Sequence, residues 1–489
     1  MTDALAWLDA TAQADLVRRG ELTPTELVDA AIARIEARNP GLNAVITPLF
    51  DSARAVAAGP LPDGPFRGVP FLLKDAVAHS AGDPYHCGMR VLKDVGWVAA
   101  ADTTLVARYR AAGFVIVGKT NLPELALSTT TEPLAYGPTH NPWDLDHSPG
   151  GSSGGSGAAV ASGMVAVAHG NDMGGSIRIP ASECGLVGLK PTRARSSLGP
   201  DFGEFWAIST HEHVLTRSVR DTAAVLDATA GMAPGDPYTA PPPSRPFADE
   251  VGADPGRLRI GFRTRRRGSD DDSHPDCVAA VIETARLLES LGHHVEATEI
   301  PALDDPALDD AIGGTFSVFV ARDLDRWSAA LGRTIDPSEL EPFNAQMAES
   351  GRTITAAHYV WALERANDYC RALAPWWRVD PGARGSGDEG FDILVTPQIT
   401  IPPPRLGVCG PLSEDAQRWE TQNAIAAFTI PFNITGQPAM SVPLHWNDAG
   451  LPIGVQLVGA YGREDVLLRL AAQLESARPW ADRHPPAFA

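Results

Sequence analysis

Four apolar positions in residues 22–38 recur with the period of an amphipathic helix. They are Leu27, Ala30, Ala31 and Ile35. Thr23 and Glu26 have the spacing of a capping box, and Pro24 occupies the first helical position. The Asn-Pro-Gly sequence at residues 39–41 is expected to end this helix.

Short, continuous runs of apolar residues elsewhere in the chain predict buried strands. The predicted strands cover residues 43–48, 69–73, 114–117, 258–262 and 294–297. The predicted helices cover residues 103–112, 157–168 and 277–291, and the second of these, rich in Ala and Gly, is expected to be buried. Because helices and strands alternate, the pattern is typical of an α/β fold.

Aromatic side chains are concentrated in residues 302–390. They include Phe316, Phe319, Trp327, Tyr359, Trp361, Trp376 and Trp377. Two compatible interpretations are open: amphipathic helices that pack on the sheet, and a helical cap over the active site that selects the acyl or leaving group. A loop with Phe202, Phe205 and Trp206 is expected to line the pocket, and composition predicts a mobile loop at residues 382–390.

The composition narrows the class of protein. Apolar residues make up 44% of the 489 residues, which is typical of a soluble globular chain. The formal net charge of −20 disfavours binding to nucleic acid or to anionic membranes. No run of about 18 apolar residues predicts a transmembrane helix, and the first residues lack the pattern of a secretory signal. Five dispersed cysteines without metal-ligand spacing predict reduced thiols in a cytoplasmic protein.

Two glycine-rich segments each contain a serine, and a lysine lies in an apolar run upstream. Ser152 lies within residues 150–157, and Ser176 follows 24 positions later within residues 172–180. Lys74 is one of only four lysines among 40 basic residues. Lysine can lose its proton and arginine cannot, so a scarce lysine among apolar neighbours indicates a residue kept for proton chemistry.

Two other motifs match known functional patterns but lack the required context. Residues 113–120 match the phosphate-binding pattern GxxxxGKS/T, yet the four intervening residues are apolar and predict a buried strand. Nucleotide binding is therefore not expected, and Lys119 is interpreted as structural.

Residues 151–155 match the G-x-S-x-G elbow of α/β-hydrolases, which would make Ser153 the nucleophile. That elbow must follow a strand, whereas residues 141–149 have the composition of a loop, so the elbow and an inactive binding scaffold are the weaker alternatives.

Further segments complete a pattern that extends over most of the chain. They are residues 113–124, 141–143, 184–192, 431–433, 436–438 and 450–456. Together with Lys74 and the two serine segments, their order and spacing resemble the amidase signature family, whose members hydrolyse C–N bonds with a Ser-Ser-Lys triad. Residues 169–172, 181–182 and 460–465 are most similar to the 6-aminohexanoate cyclic-dimer hydrolases, a subgroup that also resembles aryl-acylamidases and carbamate hydrolases.

This resemblance implies a fold and a catalytic triad. The fold is a single amidase domain over residues 1–489, an α/β/α sandwich with a central twisted mixed β-sheet flanked by helices. Ser176 is expected to be the nucleophile, Ser152 the bridging serine and Lys74 the base. Lys74 must then be neutral, which burial in an apolar run favours by lowering its pKa. Neither a cofactor nor a metal is implied.

The resemblance also assigns roles around the triad. The oxyanion hole is expected to be formed by the backbone N–H groups of Met173, Gly174, Gly175 and Ser176. Substrate binding is assigned to Ala126 and Ser128. Ser153 is expected to support its loop, and Asp172 is expected to accept backbone N–H groups and to pair with Arg178.

Two positions depart from the family pattern. Asn171 stands where the family commonly has Thr or Ser, and Met173 stands where Thr or Ile is common. Because Met173 would give only its backbone to the oxyanion hole, its side chain is expected to change the pocket wall. The departures therefore concern the substrate preference and leave the reaction type unchanged.

The expected function is hydrolysis of small neutral amides, linear, cyclic or aryl, through a seryl acyl-enzyme. Two alternatives are open: a carbamate or urea hydrolase with the same triad, and an amidotransferase-type subunit, which would need partner chains and an ammonia channel. The expected partner is a small-molecule amide or carbamate substrate, with no nucleic acid and no membrane. A homodimer is an open alternative for the assembly of the chain.

Overall fold

The computed structural model describes residues 5–377 and 390–488, through which one mixed sheet runs. Its 11 strands, β1 to β11, are Val45–Pro48, Pro70–Lys74, Val115–Thr120, Val167–Asp172, Val187–Lys190, His211–Thr216, Arg259–Phe262, His294–Ala297, Ile393–Pro397, Ala439–Trp446 and Pro452–Gly459. They lie side by side in the order β1-β3-β2-β4-β6-β5-β10-β11-β9-β7-β8. The pairs that β2 and β7 make are parallel, whereas the pairs from β4 through β6, β5, β10 and β11 to β9 are antiparallel.

Helices pack on this sheet. In chain order, α1 to α15 are Ala10–Arg18, Pro24–Leu42, Phe50–Ala58, Arg90–Asp94, Thr104–Ala111, Gly154–Ala161, Arg178–Cys184, Val219–Thr229, Pro275–Ser290, Ala307–Leu331, Pro342–Thr353, Ala356–Leu373, Arg418–Ala426, Ile430–Thr435 and Glu464–Ala477. Within the described residues, no helix has both the length and the apolar character that crossing a membrane requires.

Successive residues of β9 show that helices cover both faces of the sheet. Ile393 packs in a buried cluster with side chains from α8, α9 and α15. Leu394 packs in a different buried cluster, with side chains from α12 and α14. Because neighbouring residues of a strand point to opposite faces, the sheet lies between two layers of helices. The α/β/α sandwich predicted from the sequence is therefore confirmed.

The helix predicted near the amino terminus is present as α2, with its capping box. The Glu26 N–H donates to Thr23 Oγ1 at 3.2 Å, and the Glu26 carboxylate accepts the Thr23 N–H at 2.8 Å. The end predicted from Pro40 and its neighbours is wrong, because α2 continues through Pro40. Proline in the last turn forfeits one hydrogen bond, and the helix ends where Asn43 adopts the left-handed conformation with φ 51°.

The predicted buried helix over residues 157–168 is wrong in its second half. α6 ends at Ala161, and the strand β4 begins at Val167. Between them Gly163 has φ +72°, a left-handed conformation that a helix cannot continue through. The following residues pair with β2 and β6, and this pairing gives them strand structure.

The other predicted elements are present, the strand at residues 294–297 with the predicted ends and the rest with shifted ends. β3 extends beyond the predicted strand at residues 114–117 to include Lys119 and Thr120, because these two residues pair with Leu73 and Lys74 of β2. The helices α10, α11 and α12 lie within residues 302–390. The loop predicted at residues 382–390 lies, except for Gly390, outside the described residues. All five cysteines are free thiols.

Candidate active site

Lys74 is a fully buried lysine at the carboxyl end of β2. Its Nζ lies 2.7 Å from Ser152 Oγ, 2.9 Å from Ser153 Oγ and 2.5 Å from Asn171 Oδ1. Burial lowers the pKa of Lys74 to about 7, because the charged amine loses its hydration in the protein interior. An amine with this pKa is neutral in a substantial fraction of molecules near neutral pH and can then accept a proton.

The segment with Ser152 and Ser153 leads into the amino terminus of α6, and its Gly151–Ser152 peptide bond is cis. A Cβ atom on Gly151 would lie 2.6 Å from the backbone of Thr130, so the close approach of these segments requires glycine. The Ser153 N–H donates to the Ser176 carbonyl at 3.3 Å. This hydrogen bond joins the two serine segments, which are separate in the sequence.

Ser176 lies in the turn between β4 and α7, at 8% exposure. The carboxylate of Asp172 holds this turn by accepting the N–H groups of Gly175, at 2.8 Å, and Ile177, at 3.2 Å. Gly175 has φ +129°, and a Cβ atom there would lie 2.6 Å from Thr429 Oγ1. Both observations make glycine necessary at position 175.

One of the four N–H groups assigned to an oxyanion hole is already engaged. Gly175 donates its N–H to Asp172 Oδ1, so the expectation for Gly175 is wrong. This N–H group stabilises the turn. The residues of the turn that line the cavity are Met173, Gly174 and Ser176.

Asp172 and Arg178 form the buried ion pair that the sequence predicted. Arg178 Nε lies 2.9 Å from Asp172 Oδ2, and Arg178 Nη2 lies 2.9 Å from Oδ1. Burial acts to raise the pKa of Asp172, but the Arg178 guanidinium holds it well below its usual range. Arg178 also donates to Asn433 Oδ1 at 2.6 Å and to Gln456 Oε1 at 2.8 Å. The carboxylate therefore stays ionised and keeps its hold on the turn.

A cavity of about 250 Å³ lies over Ser176. Its wall includes both residues that the resemblance assigns to substrate binding, Ala126 and Ser128. Of the described residues that line it, none is Asp, Glu, Lys, Arg or His. The largest side chains of the wall are Trp206, Phe316, Phe343, Met347 and Trp419.

Two regions expected to contact substrate contribute to this wall to different degrees. Residues 302–390 contribute Ile312, Phe316, Phe343 and Met347, from α10 and α11. From the predicted pocket loop, Trp206 lines the cavity. Phe205 instead lines a separate cavity of about 30 Å³, and the Phe202 ring lies 4.3 Å from the Arg326 guanidinium. The loop therefore lines cavities as predicted, but only Trp206 of these three residues lines the cavity over Ser176, because neighbouring residues of an irregular loop point in different directions.

Two loops of the cavity wall hold non-glycine residues in the left-handed conformation. Leu125 and Ala126 have φ 55° and 60°, and Trp206 and Ala207 have φ 55° and 51°. Each such residue costs on the order of 1–3 kcal/mol, and the conformation persists where the surrounding packing enforces it. The backbone strain thus includes two residues that line the cavity, Ala126 and Trp206.

The two motifs that lacked sequence context also lack the structural context. Val115–Thr120 is a strand where a phosphate-binding loop would be needed, and Lys119 Nζ lies 3.4 Å from the buried Asp75 carboxylate. Ser153 follows a loop, not a strand, and its hydroxyl donates to the Asn171 carbonyl at 3.3 Å. It is buried, whereas the nucleophile of a G-x-S-x-G elbow is exposed.

Three residues of the site received no role from the sequence. Asn171 contacts Lys74, and Asn433 and Gln456 hold Arg178. Asn433 and Gln456 lie in segments that carry the family resemblance, which marked their positions. Their partner lies 255 and 278 residues away in the sequence, so no local pattern could have identified the contact.

Comparison with known proteins places the chain in a family. The amidase family matches residues 26–468. The chain is 44% identical to a 6-aminohexanoate-cyclic-dimer hydrolase of Paenarthrobacter ureafaciens, over 98% of this chain and 96% of that protein. The chain therefore belongs to the amidase family, as the sequence motifs indicate, and is a hydrolase of C–N bonds other than peptide bonds.

Solved structures of similar proteins match the fold of this chain over nearly its whole length. The structure of a 6-aminohexanoate cyclic dimer hydrolase matches with a TM-score of 0.93 at 42% identity, over 99% of each chain. A bacterial aryl acylamidase of the amidase signature family matches with a TM-score of 0.85 at 27% identity, over 97% of each chain. A glutamyl-tRNA(Gln) amidotransferase chain from Thermotoga maritima matches with a TM-score of 0.77 at 26% identity, over 97% of this chain and 96% of that one.

Proposed function

We propose that the protein hydrolyses small neutral amides, linear, cyclic or aryl, through an acyl intermediate on Ser176. The observation that carries this proposal is the buried contact of 2.7 Å between Lys74 Nζ and Ser152 Oγ, behind a serine that opens into an uncharged cavity. A base that is neutral near pH 7 and a hydroxyl within its reach meet the requirements for activating a serine.

In the first step, Ser176 Oγ attacks the carbonyl carbon of the amide. Ser152 takes the proton from Ser176 and passes its own proton to the neutral Lys74 amine. Lys74 becomes an ammonium, and the carbonyl oxygen becomes an oxyanion. Lysine suits this exchange because its burial lowers its pKa to about 7, so that the amine can accept a proton near neutral pH and give it back later.

The oxyanion is stabilised by backbone N–H groups of the turn before α7. With the Gly175 N–H engaged by Asp172, the donors in this proposal are the N–H groups of Met173, Gly174 and Ser176. Removing one such donor from an enzyme costs about 3–4 kcal/mol of transition-state stabilisation. Asp172 and Arg178 act indirectly, by holding the turn that presents these donors.

The second half of the reaction returns the proton. As the C–N bond breaks, the Lys74 ammonium protonates the leaving amine by way of Ser152, and the acyl group stays on Ser176. Water then attacks the ester, again with Lys74 and Ser152 as the base system. The carboxylic acid leaves, and Ser176 regains its hydroxyl proton.

The uncharged cavity supports a neutral substrate. A substrate with an ammonium or carboxylate inside the cavity would lose hydration without finding an opposite charge among the lining residues. The cyclic dimer of 6-aminohexanoate, the substrate in the name of the 44% identical relative, is a diamide without free termini and meets this condition. Its linear counterpart carries both charges.

The helical region 302–390 is proposed to act as a cap that selects the substrate. Ile312, Phe316, Phe343 and Met347 support this role, since they line the cavity together with Ser176. The region is bound to the segment after β3 through Glu124, whose carboxylate accepts the Glu341 N–H and the Asn344 amide, both at 2.8 Å.

Covalent trapping tests the nucleophile. The protein is treated with a small, uncharged fluorophosphonate, digested and analysed by mass spectrometry. The phosphonate should be found on Ser176, and Ser176→Ala should be unlabelled and inactive while folded. Ser52→Ala, at an exposed serine, is the matched control and should behave as wild type. A label on Ser153 with Ser176 unmodified would overturn the assignment.

A substrate panel tests the substrate class. It compares a cyclic diamide with its linear zwitterionic amide, an anilide with a carboxylated anilide, and a neutral carbamate with a neutral urea, by release of amine. The neutral member of each amide pair should have a kcat/KM roughly 100-fold higher, because burying an unpaired charge costs several kcal/mol. Faster turnover of the carbamate than of every amide would favour the carbamate hydrolase alternative instead.

A further inference from the structure

Three side-chain oxygens surround the amine of Lys74 in the interior. They are Ser152 Oγ at 2.7 Å, Ser153 Oγ at 2.9 Å and Asn171 Oδ1 at 2.5 Å. An ammonium carries three N–H groups and can donate to all three oxygens, whereas a neutral amine carries two N–H groups and one lone pair. When Lys74 is neutral, one of the three contacts must therefore reverse, so that the oxygen donates to the nitrogen.

Asn171 cannot be the partner that reverses. Its Oδ1 carries no proton, so it accepts from Lys74 in both protonation states. The orientation of the amide is defined by its other end, because Nδ2 donates to the Ala76 carbonyl at 3.0 Å. One of the two N–H groups of the neutral amine is thus directed to Asn171.

Ser153 is also committed as an acceptor. Its own hydroxyl proton is donated to the main-chain carbonyl of Asn171, at 3.3 Å. The second N–H of the neutral amine therefore points to Ser153 Oγ. Only Ser152 is left to donate its proton to the lone pair of Lys74.

We propose that Asn171 is a positioning residue that directs the lone pair of Lys74 toward Ser152. It does so twice, through its side-chain oxygen directly and through its main-chain oxygen by way of Ser153. A hydroxyl side chain at position 171 could donate as well as accept and would not impose this direction. The inference rests on the proposed function, in which Ser152 must give its proton to Lys74.

The other groups that shift the pKa of Lys74 belong to three segments of the chain. Glu212 of β6, Cys87 of the segment after β2 and Asp172 of β4 each act to raise its pKa, against the larger effect of burial. Glu212 is paired with His169 at 2.5 Å, and Asp172 is paired with Arg178. The Asn171 side chain hydrogen-bonds to Lys74 and to the Ala76 carbonyl and to neither of these pairs, so we assign a change in the pH profile of a variant to position 171.

The pH dependence of kcat/KM tests the proposal in two isosteric variants. Asn171→Asp keeps an acceptor but adds a negative charge beside Nζ, which should hold Lys74 protonated and move the acid limb about one to three pH units upward. Asn171→Leu removes the acceptor and frees the direction of the lone pair. It should lower kcat roughly 10-fold to 100-fold with little change in KM and without moving the acid limb upward. Asn367→Asp, at an exposed position of α12, is the matched control and should keep the wild-type profile.

Each outcome decides the proposal. A folded Asn171→Asp whose acid limb coincides with wild type would overturn it, and so would a folded Asn171→Leu with wild-type kcat. If Asn171→Asp does not fold, Asn171→Leu alone carries the test. Phosphonate labelling keeps this result separate from the proposed function. Labelling of Ser176 with an unmoved pH profile contradicts only the role of Asn171, whereas turnover by Ser176→Ala contradicts the mechanism itself.

Discussion

The guanidinium of Arg178 holds the carboxylate of Asp172 with two hydrogen bonds of 2.9 Å, both fully buried. Asp172→Asn should therefore leave an uncompensated buried charge and cost about 3–5 kcal/mol of unfolding free energy. It should also lower kcat, because Asp172 anchors the turn with Ser176 through the Gly175 and Ile177 N–H groups. Urea unfolding and steady-state kinetics measure the two effects.

The matched control for Asp172→Asn is an exposed ion pair. Asp368 and Arg371 lie 2.6 Å apart with side chains 55% and 71% exposed. Asp368→Asn should change the unfolding free energy by less than about 1 kcal/mol, since solvent screens such pairs. Equal losses in the two variants would contradict the role assigned to the buried pair.

Lys74→Ala should lower kcat/KM by about 10²–10⁴-fold, and Lys74→Arg should not restore it. Arginine keeps a positive charge but stays protonated, so it cannot take the proton from Ser152. Kinetics of both variants against wild type measure this. Near wild-type activity in Lys74→Arg would indicate that Lys74 acts only as a fixed cation. The general base would then be another residue such as His169, whose Nε2 is paired with Glu212 at 2.5 Å.

The wild-type kcat/KM should rise with pH through a single ionisation near pH 7. The proposed base must be neutral, and burial lowers the pKa of Lys74 to about 7. Below this value the amine is protonated and the rate falls about tenfold per pH unit; above it the rate reaches a plateau. The profile is measured with an uncharged substrate, so that only the enzyme titrates. An acid limb near pH 4 or near pH 10 would contradict the assignment.

Glu124→Gln should stabilise the protein above pH 7 and change little below pH 4.5. Burial raises the pKa of Glu124 to about 7 from an ordinary value of 4.5. The fold therefore favours the neutral acid, so the stability that this group contributes is complete below pH 4.5 and is lost as pH rises through 7. The gain at pH 8 should be about 1–3 kcal/mol, because glutamine keeps the acceptor for Glu341 and Asn344 without the charge.

Thermal unfolding at pH 4 and pH 8 measures the effect of Glu124→Gln. Glu349→Gln is the control, since it removes the same charge from an exposed position of α11. It should show no gain that appears only at high pH. A Glu124→Gln variant that is equally destabilised at both pH values would show that the carboxylate is needed in its charged form.

Trp419→Ala should raise KM for aryl amides roughly tenfold, about 1.4 kcal/mol, with kcat nearly unchanged. Trp419 lines the cavity, is 48% exposed, and meets the Phe343 ring edge to face at a centroid distance of 4.7 Å. We therefore expect it to contribute to substrate binding and not to the chemical step. Leu412→Ala, at a residue 66% exposed, is the control and should leave KM unchanged. A fall in kcat alone would contradict a purely binding role.

Local sequence patterns predicted those elements whose cause is local. The capping box of Thr23 and Glu26 marked the start of α2, because both partners lie within one helical turn. The same reasoning failed for residues 157–168, where Ala and Gly are compatible with several structures. There the pairing of β4 with β2 and β6 decided the outcome, and those partners lie far away in the chain.

The sequence by itself determined the fold class, the family and the positions of Lys74, Ser152 and Ser176, because these depend on residue types in a recognisable order. Only the tertiary structure brought Lys74 to hydrogen-bonding distance of Ser152 and Asn171, 78 and 97 residues away. It also engaged the Gly175 N–H with Asp172 and assembled an uncharged cavity from distant segments. The direction of a hydrogen bond and the burial that lowers the pKa of a lysine depend on neighbours in space, which the order of residues along the chain does not specify.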